Sequence, residues 1–161
     1  MPKILIVYYS KLGHTKKMAK FIENGAKEEG MTVLCKSVAE TCINDLVEAD
    51  GIIIGSPTYY GSMAAPVKEL FDKSISCHGK LSGKVGGAFT SSAYIAGGNE
   101  TTILDILHAM LVHGMIIQGD CSTDHFGPVA LNSPDEICRE KCERFGRRIS
   151  HLTKSIYNLN L

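Results

Sequence analysis

The chain has 161 residues, enough for one domain with a proper core and too few for two. Hydrophobic residues make up 44% and charged residues 21%, an ordinary balance for a folded domain. Lys plus Arg equals Asp plus Glu at 17 each, and that zero net charge argues against a dedicated nucleic-acid binder and against a carrier that docks by an acidic surface.

No apolar run approaches the ~20 residues of a membrane span. The opening Met1 to Val7 run is too short for a signal peptide. The expectation is a cytoplasmic chain with no membrane insertion. Its six cysteines (Cys35, Cys42, Cys77, Cys121, Cys138, Cys142) then read as free thiols in a reducing compartment.

Lys3 to Tyr9 is a continuous apolar, β-rich run, as in a strand buried on both faces. A loop follows over Ser10 to Thr15. Met18, Ala19, Phe21, Ile22, Gly25 and Ala26 recur at helical spacing up to Gly30. Thr32 to Val38 alternates more, as at a sheet edge, and Ile43 to Ala49 is a short amphipathic helix. Asp50 to Ser56 is a third strand, with a loop over Pro57 to Gly61. Pro66 opens a helix that carries Val67, Leu70 and Phe71 on one face. Lys84 to Thr90 is a fourth strand with a glycine-rich exit. Asn99 to His113 is a helix, and Met115 to Gln118 a fifth strand. Asn132 to Glu136 has the polar cap, early proline and acids of a helix start, and that helix runs to about His151 or slightly beyond. Strands that alternate with helices predict an α/β fold: a parallel sheet covered on both faces, whose ligand sits beyond the carboxyl ends of the strands.

Three loops meet that condition. Ser10-Lys11-Leu12-Gly13-His14-Thr15 leads directly into a helix, so backbone N–H groups and two hydroxyls converge on an anion. It lacks the Gly-Lys-Ser/Thr ending of a Walker loop and is not a GxGxxG turn, so it suits a monophosphate. Taken alone it is also an ordinary capped turn. Pro57-Thr58-Tyr59-Tyr60-Gly61 offers backbone groups and a tyrosine face to a flat heterocycle. Ser91 to Gly98 has small residues that permit close backbone approach. Each loop is weak by itself, and three at adjacent strand ends converge on one cleft.

The stretches Val7-Tyr-Tyr-Ser10 with Gly13-His14, Gly55-Ser-Pro-Thr58 with Gly61, Ser91-Ser92, Gly97-Gly-Asn-Glu100-Thr and His113-Gly-Met115 resemble the flavodoxin-like superfamily. Within it the chain is most similar to the WrbA-type NAD(P)H:quinone oxidoreductases and the NADPH-dependent FMN reductase group. The resemblance spans nearly the whole chain as a single domain over 1–161. It implies a three-layer sandwich with five parallel strands in the order 2-1-3-4-5. It implies FMN as cofactor, with Ser10, Lys11, Leu12, Gly13, His14 and Thr15 on its phosphate. Pro57, Thr58, Tyr59, Tyr60 and Gly61 then flank the ring, and Ser91, Ser92, Ala93, Tyr94, Gly97 and Gly98 contact its pyrimidine side and ribityl chain. His113 is implied near the flavin as an assisting residue, within the chain or across a subunit boundary. The flavin N5 carries the chemistry, and no protein nucleophile is required.

Three departures concern the substrate side. Leu12 stands where WrbA proteins usually carry an aromatic residue. Ser76 to Leu81 is shorter than the family's segment, which there supplies an aromatic wall, and the chain has no Trp. Ala93-Tyr94-Ile95-Ala96 replaces a glycine-rich run.

Two readings of function stay open: an oxidoreductase moving electrons from NAD(P)H to a quinone-like acceptor, and an electron carrier serving redox partner proteins. A homodimer or homotetramer is expected from the resemblance and from Met63, Met110 and Val112, apolar residues that one sheet face does not fully bury. No metal is expected. Cys138 and Cys142 make at most half a site, and His108, His125 and His151 read as surface or packing residues. Asp120, Asp124 and His125 follow the fifth strand and read as a solvated loop in preference to the rim of a substrate pocket.

Overall fold

A computed structural model describes residues 1–159. In chain order the elements are β1 (Lys3–Tyr8), α1 (His14–Glu28), β2 (Thr32–Ser37), α2 (Ile43–Glu48), β3 (Gly51–Tyr59), β4 (Ser62–Met63), α3 (Ala65–Lys73), β5 (Val85–Ser92), α4 (Asn99–Val112), β6 (Ile116–Ile117), β7 (Val129–Leu131) and α5 (Glu136–Leu159). The sheet order is β2-β1-β3-β5-β6, and every neighbour on that path is parallel. With the two-residue β4 set aside, this is the expected 2-1-3-4-5 order.

Alternation along the strands divides the core. Ile4, Ile6, Ile53, Val85 and Phe89 face Met18, Ala19 and Ile22 of α1 and Phe145 and Ile149 of α5. Leu5, Val7, Ile52, Ile54 and Ala88 face Val67 and Leu70 of α3 and Ile103, Ile106 and Met110 of α4. The central strands are therefore apolar through their first halves, because both of their faces are covered, and turn polar only toward their carboxyl ends.

Two expectations change. The fifth strand position is filled by two pieces. Ile116 and Ile117 pair with Val85 and Gly86 at the start of β5, whereas Val129 to Leu131 pair with Thr90 to Ser92 at its end. The chain between them loops away from the sheet. In addition, α5 starts at Glu136, not at Asn132. Asp135 is its cap, accepting the Cys138 N–H at 2.8 Å through Oδ1. The helix continues well past His151 to Leu159.

Candidate functional site

The carboxyl ends of β1, β3, β5 and β7 open into one cleft. Ser10, Lys11, Leu12, His14 and Thr15 form one wall, Pro57, Thr58 and Tyr59 a second, and Ser91, Ser92 and Ala93 a third. The three loops singled out in the sequence thus converge.

The first wall is built for an anion. Gly13 adopts φ +93°, and its N–H donates to Ser10 Oγ at 3.1 Å, which closes the turn. No side chain caps the start of α1. Its first-turn N–H groups, which have no acceptor within the helix, therefore remain available to a ligand. No acid occurs in that first turn, and Lys16, Lys17 and Lys20 follow. Thr15 is buried, and its hydroxyl lies 2.9 Å from Ser91 Oγ, joining the first wall to the third.

The second wall is equally fixed. Ser56 Oγ accepts the Ala64 N–H at 2.8 Å, pinning the β3–β4 hairpin. The Thr90 hydroxyl donates to Ser56 O at 2.7 Å, so at 3.0 Å it accepts from Thr58. Tyr59 is propped edge-on by Tyr9, with ring centroids 6.4 Å apart. Burial and then the neighbouring Tyr9 raise its pKa, so Tyr59 is a neutral phenol at pH 7.

Six of the sequence-predicted residues stand elsewhere. Tyr60 is the fully exposed tip of the hairpin, at φ +51°. Gly61 and Gly98 pack backbone to backbone behind the walls. Tyr94 is exposed on the third loop, and Gly97 closes a turn back to Tyr94 O. His113 is not in this cleft. It follows the last residue of α4, at the amino ends of the strands, where Gly83 N–H bonds Gly114 O.

There the Ser74 hydroxyl donates to Phe71 O at 2.6 Å, so it accepts from His113 Nε2 at 2.7 Å. His113 Nδ1 is left buried without a partner. Burial, and secondarily His78, lower the His113 pKa below 6.5. A base with a depressed folded pKa binds fewer protons folded than unfolded, so its stabilising effect is present above pH 6.5 and declines as pH falls through the folded value. Urea melts are expected to show His113→Gln losing less stability than the wild type between pH 7.5 and 5.5. An equal loss in both would contradict this assignment.

One lining residue was missed by sequence reasoning. Asn132 donates from its backbone to Ser92 O at 2.8 Å and from Nδ2 to Ala93 O at 3.3 Å, bracing the third wall. Its Asn-Ser-Pro signal reads as a helix cap, but the φ of +58° was the other meaning available to asparagine.

The remaining candidates are structural. Asp120 accepts from Ser122 N–H at 2.9 Å and pairs with Arg144 at 2.7 Å, which hold its carboxyl well below the usual range. Cys138 and Cys142 are buried with sulfurs 3.9 Å apart, and among the described residues no group of three or more potential metal ligands occurs. Likewise, no described helix is long and apolar enough to cross a membrane.

Residues 34–127, more than half of the chain, match the family model for NADPH-dependent FMN reductases. The chain belongs to that family. Within the wider group of relatives, an NAD(P)H dehydrogenase (quinone) from Caulobacter vibrioides is 39% identical, the match taking in 85% of this chain and 78% of the relative. A flavodoxin from Aquifex aeolicus is 36% identical, with 93% and 86% covered. Among solved structures, the flavodoxin, WrbA-like protein from Agrobacterium tumefaciens superposes with a TM-score of 0.84 at 26% identity, covering 96% of this chain and 99% of that one. The flavodoxin-like fold and the FMN reductase family are thus shown together, and the donor set of the cleft fits FMN: an uncapped helix start for the phosphate, and a fixed wall of backbone and tyrosine for a flat ring.

Proposed function

We propose that residues 1–161 form one FMN-binding unit that takes electrons from NAD(P)H and gives them to a quinone or similar small acceptor in the cytoplasm. The observation that carries this reading is the character of the cleft. It has an uncapped helix start with no acid in its first turn, and no carboxylate lines it among the described residues. Apart from Lys11, the large side chains exposed on its three loops are apolar or aromatic: Leu12 at 80% in the cleft wall, and Tyr60 (fully exposed), Tyr94 at 77% and Ile95 at 81% beside it. Such a surround gives a flat, weakly polar acceptor apolar surface to lie against.

When bound, FMN supplies hydride exchange at N5, and the protein supplies position and electrostatics. The Ser10 to Thr15 loop holds the phosphate. Thr58 and Tyr59, fixed by Thr90 and Tyr9, set the plane of the ring. Ser91 and Ser92, braced by Asn132, close the third side. His113 takes no part within its own chain. A homodimer or homotetramer remains part of the proposal. Met110 gives it no support, being fully buried with Met63 half-buried, but Leu111 and Val112 are exposed at the end of α4. A monomer at all concentrations in light scattering would contradict it.

The test is anaerobic mixing of the FMN-loaded chain with NADPH or NADH, then with a quinone. Rapid loss of flavin absorbance and its return with quinone are expected. A second reading, an electron carrier for protein partners, is favoured by the Aquifex relative named flavodoxin, which matches 93% of the chain. Failure of both nucleotides to reduce bound flavin would select it.

A further inference from the structure

The second and third walls are joined behind the cleft, through residues that do not line it. Tyr60 and Gly61 form the two-residue turn between β3 and β4, with φ of +51° and +75°. A non-glycine residue at positive φ is disfavoured and needs outside support. That support comes from α4. Gly98, just before the helix, adopts φ +96° and lies so close to Gly61 that a Cβ on it would come within 2.5 Å of Gly61 Cα. One turn on, Thr101 Oγ1 donates to Gly61 O at 2.6 Å, with Gly98 O at 3.0 Å as the weaker alternative for the same proton. Another turn on, Asp105 Oδ2 accepts from Ser62 Oγ at 2.6 Å. Thr101 and Asp105 are four apart, so one face of α4 grips the hairpin twice.

We propose that Thr101 is a positioning residue for the cofactor: its hydroxyl turns the Gly61 carbonyl toward α4 and so fixes the hairpin turn that follows Thr58 and Tyr59 of the second wall. This rests on the reading that FMN occupies the cleft. Thr101 is solvent-exposed and belongs to neither core cluster. Its hydroxyl therefore bears on the turn rather than on folding, and a threonine-to-valine change keeps its shape while removing only the tie.

The experiment compares wild type, Thr101→Val and Thr101→Ser as apoproteins. It measures melting temperature, FMN affinity by fluorescence quenching, and the visible circular dichroism of bound flavin. The loss of one hydrogen bond predicts a rise in Kd of about fivefold for Thr101→Val. A changed dichroism band is expected with it, at a melting temperature within about 2 °C of wild type. Thr101→Ser restores affinity and band. The inference is overturned if Thr101→Val keeps wild-type Kd and band, or if Thr101→Ser behaves as Thr101→Val. It is also overturned if the loss of affinity tracks a loss of apoprotein stability. Failure of the wild type itself to bind FMN is a different result, and removes the cofactor reading beneath it.

Discussion

Ser10→Asp is expected to keep the fold and to weaken FMN binding by roughly 10²–10³-fold. Ser10 Oγ serves the protein as an acceptor for the Gly13 N–H. An aspartate carboxylate can accept the same bond, as it does in Asx turns, so the loop keeps its shape. It also places a negative charge in the loop proposed to hold the phosphate. Two like charges ~4 Å apart at an effective dielectric of ~20 repel by about 4 kcal/mol, or about 10³ in Kd, and the positive end of α1 offsets part of that. Ser10→Asn, with the acceptor and no charge, is the control and should bind within about tenfold of wild type. Fluorescence titration measures both. Wild-type affinity in Ser10→Asp would mean that the phosphate lies elsewhere.

The largest effect on stability is expected from Gly146→Ala. Helices α1 and α5 touch backbone to backbone at two glycines. A Cβ on Gly146 would collide with Ile22 O and come within 3.0 Å of Ala26 N, and one on Gly25 would collide with Glu143 O. Backbone atoms cannot rotate away as a side chain can. The helices would have to separate, opening the cluster of Met18, Ile22, Phe145 and Ile149. Alanine is favoured over glycine in a helix by about 1 kcal/mol, so propensity alone predicts a rise in stability. Overpacking of a tight core costs about 1–3 kcal/mol and occasionally more, and it should win here because neither partner can yield. With the overpacking cost at the upper end of that range, the expected net loss is about 1–2 kcal/mol, or roughly 2–8 °C in melting temperature for a chain of this size. A melting temperature equal to or above that of wild type would show that the helices slide apart at little cost.

Much of this fold could be read from residue order because burial on both faces leaves a plain mark. Ile4 to Val7 and Ile52 to Ile54 are unbroken apolar runs, and they are the centre of the sheet. The loops at their carboxyl ends were legible because three of them follow adjacent strands, although Ser10 to Thr15 taken alone also reads as an ordinary capped turn. What escaped was set by partners distant in sequence. Val129 to Leu131 is three residues long, and only its pairing with the end of β5 makes it a strand. Asn132 has two physical meanings, cap and left-handed turn, and the position of β7 decides between them. Met110 seemed surplus on its helix, yet the sheet and its neighbours bury it fully. His113 was placed by resemblance alone, and its bond to Ser74, 39 residues away, holds it at the opposite end of the strands. Thr101 stood out only as the last residue of the Gly97-Gly-Asn-Glu100-Thr stretch, since an exposed threonine in a helix is commonplace until Gly61 is seen beside it.

The measurement closest to the central claim is a side-by-side titration of the apoprotein with FMN and with riboflavin, followed by fluorescence quenching. The two ligands share the ring and differ in the phosphate. The account predicts one FMN bound per chain and riboflavin weaker by roughly 10²-fold or more, because the Ser10 to Thr15 loop and the start of α1 are left without their charged partner. Equal affinity for the two, or no quenching with FMN, would contradict it.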